Sequence, residues 1–118
     1  MTGIPKEQLD AVAAAASERE FAAGETVMSE GDFGHCLFLV EEGWADVSVD
    51  GATVGQVGPG ELIGEVAVLA SGRRTASVVA TSPMRAISLF KRDIWALERT
   101  SPEAARRLRT AIREHATS

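Results

Sequence analysis

A chain of 118 residues is sized for a single core and is long enough to fold without disulfide or metal staples. Hydrophobic residues at 45% and charged residues at 25% argue against wholesale disorder, and one cysteine, Cys36, excludes an internal disulfide framework and suits a reducing cytoplasm. The net charge of −5 hides a split: residues 1–65 hold 13 acids and 2 bases, residues 66–118 hold 4 acids and 10 bases, so the front half repels nucleic acid and anionic membranes while the back half suits a small anion or an acidic partner.

The spacing predicts a helix over residues 5–20, because Pro5 fits a first helical turn and the run Ala11–Ala16 is rich in the best helix former. Glu7, Asp10 and Glu18 flank that run and no leucine-rich stretch accompanies it, which excludes a signal peptide. From Phe21 to Phe90 the pattern changes to short strands. Glu25–Ser29 is a first short segment, closed by the turn Glu30-Gly31-Asp32. Cys36–Val40 is a compact apolar run, the mark of a strand buried on both faces. In Trp44–Val49 the apolar Ala45, Val47 and Val49 alternate with Asp46 and Ser48, which predicts a half-buried strand. Asp50-Gly51 then predicts a tight hairpin, with Val49 opposite Ala52 and Val47 opposite Val54.

Gly55, Gly58, Pro59 and Gly60 break the pattern, which resumes in Arg74–Thr81 and Met84–Phe90 around Ser82-Pro83. The tail returns to helix. Lys91–Thr100 would bury Ile94 and Leu97, and Ser101-Pro102-Glu103 is a start signal for a last helix. That helix sets Ala105, Leu108 and Ile112 on an apolar stripe and Arg106, Arg109 and Arg113 on another face. Trp44 and Trp95 read as packing residues, with a partner-facing anchor as the other reading. This order of elements implies an antiparallel barrel or jelly roll with helices packed at one end.

Residues 60–78 do not fit the strand pattern. Gly64 permits close backbone approach, and Glu65–Leu69 fits one short helix between glycine-rich turns, whose free N–H groups suit an anion. Arg74 returns nine residues after Glu65, and a guanidinium binds phosphate bidentately. A carboxylate beside a phosphate makes sense if it accepts a hydrogen bond from a ligand hydroxyl such as a ribose. The pair therefore points to a nucleotide or sugar phosphate. From spacing alone an internal Glu65–Arg74 salt bridge, with the glycines as mere turns, stands beside that reading. His35 and His115 are the two histidines and lie far apart in sequence, which argues against a histidine-bound metal enzyme on a jelly roll. Cys36 precedes an apolar run and reads as a buried structural thiol.

At these residues the chain resembles the cyclic nucleotide-binding domain family. Gly64-Glu65, the apolar Val66-Ala67-Val68-Leu69 and Arg74-Thr75-Ala76-Ser77-Val78 are similar to its phosphate-binding cassette, and Phe21–Glu25, Glu30-Gly31-Asp32, Phe38-Leu39-Val40 and Gly43 are similar to its early strands and turns. Two positions depart from its pattern: Ile63 stands where phenylalanine is frequent, and Arg73 where proline is frequent.

The resemblance implies a single domain over 1–118. It would be a mainly β (α+β) fold: a short N-terminal helix (5–20), an eight-stranded antiparallel jelly-roll barrel carrying a one-turn cassette helix (21–90), and C-terminal lid helices (91–116). It implies that Arg74 pairs with the exocyclic phosphate oxygens, that Glu65 accepts from the ribose 2′-hydroxyl, and that the N–H groups of Gly64, Glu65, Val66 and Ala67 line phosphate and sugar. Arg73, Thr75 and Ala76 complete the implied ligand set, with Thr75 at the phosphate or a guanine. Val57, Leu62 and Ile63 would lie near the purine, and Arg107, Leu108 and Ile112 on the lid. The implied molecule is a non-enzymatic cytoplasmic sensor without cofactor or metal. Cyclic AMP is its preferred ligand, cyclic GMP is tolerated, and an attached effector domain is its partner, with neither nucleic-acid binding nor membrane insertion by this chain. A jelly roll that has lost its ligand and serves interaction or dimerisation is the alternative.

Overall fold

In the computed structural model of this protein, the described residues are 16–64 and 72–116. Among them, eight strands precede two helices: β1 (Ser17–Phe21), β2 (Thr26–Met28), β3 (Leu37–Glu42), β4 (Ala45–Val49), β5 (Ala52–Val57), β6 (Leu62–Ile63), β7 (Ser77–Ala80), β8 (Met84–Leu89), α1 (Lys91–Thr100) and α2 (Pro102–Ala116). The strands form two antiparallel sheets, ordered β1-β8-β3-β6 and β2-β7-β4-β5. This is the mainly β jelly roll that the sequence implies, although among the described residues hydrogen bonds do not close it into a continuous barrel.

β3 explains the layering. Leu37, Phe38, Leu39 and Val40 are all buried, as an uninterrupted apolar run requires. Leu37 and Leu39 join Leu62, Ile87 and Leu89 in a cluster capped by Ile94 and Leu97 of α1 and by Ala104, Ala105 and Leu108 of α2. Phe38 and Val40 point the other way, into an interior cluster with Phe21, Met28, Val57, Ile63, Val78 and Met84. The first sheet therefore separates two cores, and each fully buried Leu or Ile contributes about 1.5–3 kcal/mol.

The helices begin where local chemistry directs. Asp93 accepts from the Phe90 N–H at 2.9 Å, one of the free donors at the start of α1. Ser101 closes α1 with its N–H on the Leu97 carbonyl (2.8 Å) and opens α2 by accepting from Ala105 (3.0 Å). Pro102 sits at the first position of α2, where its missing N–H costs nothing.

Four expectations need correction. Residues 17–20 are strand rather than the end of a helix: β1 pairs with β8 from Ser17↔Ser88 to Phe21↔Met84. Helix propensity is a weak prior that runs out at Ala16, and the ladder to β8 seats Phe21 in the interior. The rest of the expected helix, residues 5–15, lies outside the described residues. The Asp50-Gly51 turn forms with positive φ at both residues (53° and 83°), and Val49 faces Ala52 as expected. Beyond that pair, however, Val47 faces Gly55 instead of Val54. The register shifts between Val47 and Ser48, and Val54 is left unpaired as the extra residue of a bulge, 64% exposed. The strand expected over Arg74–Thr81 is confined to Ser77–Ala80, because the backbone of Arg74 is engaged by the Gly31–Asp32 turn instead. Trp44 and Trp95 are 49% and 61% exposed rather than core residues. Trp44 lies over Gly58, where a side chain would collide with its ring, and Trp95 points outward while Ile94 and Leu97 turn inward.

Away from the helices, Arg85 on β8 meets three carboxylates: Glu42 at 2.9 Å, Glu41 at 3.4 Å and Glu18 at 3.5 Å. Burial, followed by a hydrogen bond with Glu18 and the repulsion of its charge, pushes the Glu41 carboxyl up to about 7 against the opposing pull of Arg85.

Candidate functional site

Two segments distant in sequence are laced together by their backbones. The Gly31 N–H donates to the Arg74 carbonyl (2.9 Å), the Arg74 N–H to Asp32 (2.7 Å), and the Gly34 N–H to Gly72 (2.9 Å). Phe33 and Arg73 form an isolated antiparallel bridge between them. This lacing sends the Arg74 side chain inward and the Arg73 side chain outward.

Arg74 is only 7% exposed. Its Nη1 donates to the carbonyl of Gly64 at 3.2 Å, and its guanidinium carbon stands 5.7 Å from the centre of the Phe38 ring. Two glycines make its space. A Cβ at Gly34 would lie 2.6 Å from Cζ and Nε of Arg74, and one at Gly64 would lie 2.3 Å from Nη1. Gly64, at φ +83°, leaves the end of β6 in a conformation that L side chains rarely adopt. Among the described residues no carboxylate comes within ion-pair distance of Arg74. Taking a guanidinium out of water is costly, and an anion entering beside it offsets that cost.

The other expected site residues separate into groups. Arg73 donates from Nη1 to the Gly31 carbonyl (2.9 Å) and lies 4.2 Å from the centre of the Phe33 ring, on the outside of the lacing. Thr75 is exposed next to Arg74, and Ala76 is buried in the interior cluster. Val57 and Ile63 belong to that same interior cluster, whereas Leu62 faces the helices. Leu108 is fully buried against the helix side of the sheet, and Arg107 is exposed with Glu103 at 3.6 Å. Glu65, Val66 and Ala67, with the expected cassette helix, lie outside the described residues, as does the side chain of Ile112.

Sequence reasoning missed Gly34, Phe33 and Phe38. Phe38 is hidden in an apolar run that reads as plain core. Gly34 looks like one more turn glycine, and its role shows only once Arg74 is seen above it.

No group of three or more His, Cys, Asp or Glu side chains among the described residues is placed to hold a metal ion. No helix among them is long and apolar enough to cross a membrane.

Comparison with known proteins is consistent with this geometry. Residues 18–101 match the cyclic nucleotide-binding domain family. The cyclic AMP receptor protein of Thermus thermophilus is 32% identical over 111 residues, covering 90% of this chain and 51% of the receptor. A cyclic GMP-dependent protein kinase of Caenorhabditis briggsae is 36% identical over 97 residues, covering 82% of this chain and 12% of the kinase. A solved structure from work on a cyclic-GMP-dependent signalling pathway in bacterial phytopathogenesis superposes with a TM-score of 0.82 at 29% identity, covering 100% of this chain and 98% of its own. The chain thus spans about half the length of the receptor and a small part of the kinase.

Proposed function

This chain belongs to the cyclic nucleotide-binding domain family, and from that premise we propose that it is a non-enzymatic cytoplasmic regulatory module that binds a cyclic nucleotide, preferring cyclic AMP, and transmits binding through its C-terminal helices. One observation carries the reading: Arg74 is 7% exposed, seated between Gly34 and Gly64, with its guanidinium on the carbonyl of Gly64. A cyclic phosphate offers a negative charge, with two exocyclic oxygens for the fork of the guanidinium. Glu65 takes the ribose 2′-hydroxyl, and the N–H groups of Gly64, Glu65, Val66 and Ala67 line phosphate and sugar. Ile63 and Val57 lie on the interior side, toward the purine. Arg73 belongs to the support of this site.

Transmission is supported by the position of β6. Leu62 packs in the helix-facing cluster with Leu108, Ile63 faces the interior, and the next residue, Gly64, holds Arg74. A ligand that moves Gly64 therefore pulls on a strand two residues long that bears on α2. Arg107, Leu108 and Ile112 are the lid residues in this reading. The output passes to an effector domain, attached covalently or not, as the greater length of the relatives suggests.

The preference for cyclic AMP rests on the similarity to a cyclic AMP receptor across 90% of the chain. Thr75 offers one hydroxyl that can serve the phosphate or a guanine edge, and a single hydrogen bond is worth only about 1 kcal/mol net. Cyclic GMP accordingly binds more weakly.

Calorimetric titration with both nucleotides tests the proposal. Arg74→Ala should weaken binding by about 30- to 5,000-fold while thermal melting stays cooperative, since removing one member of a desolvated charge pair costs about 2–5 kcal/mol. Unchanged affinity removes Arg74 from the site. If the native protein binds neither nucleotide, the chain is an interaction or dimerisation module. Tighter binding of cyclic GMP, lost in Thr75→Ala, reverses the ligand preference.

A further inference from the structure

Arg73 differs from its neighbour in almost every respect. It is exposed, and its guanidinium bends back over the segment that precedes β3. There it reaches two described residues: a hydrogen bond runs from Nη1 to the Gly31 carbonyl at 2.9 Å, and a cation–π contact lies 4.2 Å from the centre of the Phe33 ring. Phe33 is 65% exposed and has no place in either core, so a large apolar side chain stands in solvent with the guanidinium as its cover. Phe33 and Arg73 are also bridge partners through their backbones. The next residue after Phe33 is Gly34, whose bare Cα makes room for the guanidinium of Arg74. The next residue after Arg73 is Arg74 itself.

We propose that Arg73 and Phe33 form a surface clamp that fixes the 31–34 segment against 72–74 and so positions the buried Arg74 for its ligand. This rests on the reading of Arg74 as the anion-binding residue. Arg73 is then a positioning residue and not a ligand contact. The physical reason is leverage across adjacent residues. Three backbone hydrogen bonds lace the two segments, and two of them use the N–H or carbonyl of Arg74. The lacing runs from the exposed Gly31 and Asp32 to the buried Gly34 and Arg74, and a contact that bridges the two segments at its outer side and fixes their register favours the closed arrangement over local opening. If the lacing slackens, Gly34 moves away from Arg74, and the guanidinium loses the wall that aims it at Gly64. A cation on this face does not need to touch the phosphate to govern how well it is held.

The test uses the full chain with cyclic AMP as probe, in native protein and in Arg73→Ala, Phe33→Ala, the double variant and Arg73→Lys. Each single alanine variant should bind about fivefold more weakly, the worth of one exposed cation–π contact. The double variant should bind no more weakly than either single, because the pair acts as one unit. Arg73→Lys keeps a cation over the ring and a donor for Gly31, and should recover affinity to within about twofold of native. In ligand-free protein, Arg73→Ala should speed amide exchange at Gly31, Gly34 and Arg74.

Weaker binding in Arg73→Ala but not in Phe33→Ala overturns the clamp in favour of direct charge contact with the ligand. Native affinity in both alanine variants, or unchanged exchange at the three amides, also overturns it. Native protein that binds neither cyclic AMP nor cyclic GMP overturns the proposed function and the clamp's part in affinity, and the exchange measurement then still decides whether the clamp itself exists.

Discussion

Gly34 offers a sharp test of the site, because it makes no contact with a ligand in this reading and is defined only by the atoms it lacks. In Gly34→Ala the added methyl would lie 2.6 Å from Cζ and Nε of Arg74 and 2.8 Å from its Nη1. Comfortable carbon contact needs about 3.5 Å, so the guanidinium must retreat by about 1 Å. The backbone tolerates alanine here, since Gly34 is not among the glycines with positive φ. What has to move is the far end of a flexible side chain, so the fold can absorb the change. Loss of glycine also restricts the unfolded chain, which offsets the crowding by about 0.4–1 kcal/mol. Stability should therefore stay near native. Affinity should not: displacing a bidentate charge pair by about 1 Å costs up to about 100-fold. Calorimetry with cyclic AMP and a thermal melt of the same sample read the two quantities side by side. Native affinity in Gly34→Ala would refute the placement of Arg74 as the anion-binding group. A collapse of the melt would show that the pocket around Arg74 is structural packing.

Other outcomes follow from the same geometry. A 2′-deoxy cyclic AMP should bind native protein about 10- to 150-fold more weakly than cyclic AMP, the worth of a charge-assisted hydrogen bond from the ribose to Glu65, and equal binding would exclude that role. Saturating cyclic AMP should slow amide exchange across residues 102–116, and protection confined to the residues near Arg74 would remove α2 from the response. Glu41, pushed up to about 7, keeps its proton in the folded state between about pH 4.5 and 7 while the unfolded chain has released it. Its contribution to stability is thus complete below about 4.5, declines as pH rises through that window and is lost above about 7. Glu41→Gln should flatten this part of the melting-temperature profile, and an unchanged slope would refute the assignment.

The parts of the fold that were legible in the sequence are those governed by local chemistry. Asp50-Gly51 specifies its turn because both residues accept positive φ, and Ser101-Pro102-Glu103 marks the start of α2 because each residue suits its position there. β3 was legible because an apolar run with no alternation has to be covered on both sides. β1 was not, since Ser17-Glu18-Arg19-Glu20 is an exposed edge with no apolar face to alternate. The bulge at Val54 leaves no mark either, because a one-residue slip changes partners without changing the composition of the strand. At the site, Arg74 and Gly64 stand out as residue types with a clear chemical use. Gly34 and Phe33 matter only through neighbours more than thirty residues away, which no local pattern can report.

The helix layer has a consequence for how this molecule behaves in a crowded solution. Leu37, Leu39, Ile87 and Leu89 form a stripe in the middle of the first sheet, and among the described residues α1 and α2 cover most of it. A conformer in which those helices swing aside does not merely relocate two rods. It uncovers a sticky aliphatic strip flanked by paired strands, the kind of surface that recruits other chains. Water is a poor replacement for the departing helices, so such a conformer is short-lived in isolation and persists where another apolar surface takes their place. The reach of helix motion in this fold is accordingly set by the company the domain keeps, and dilution favours the docked arrangement.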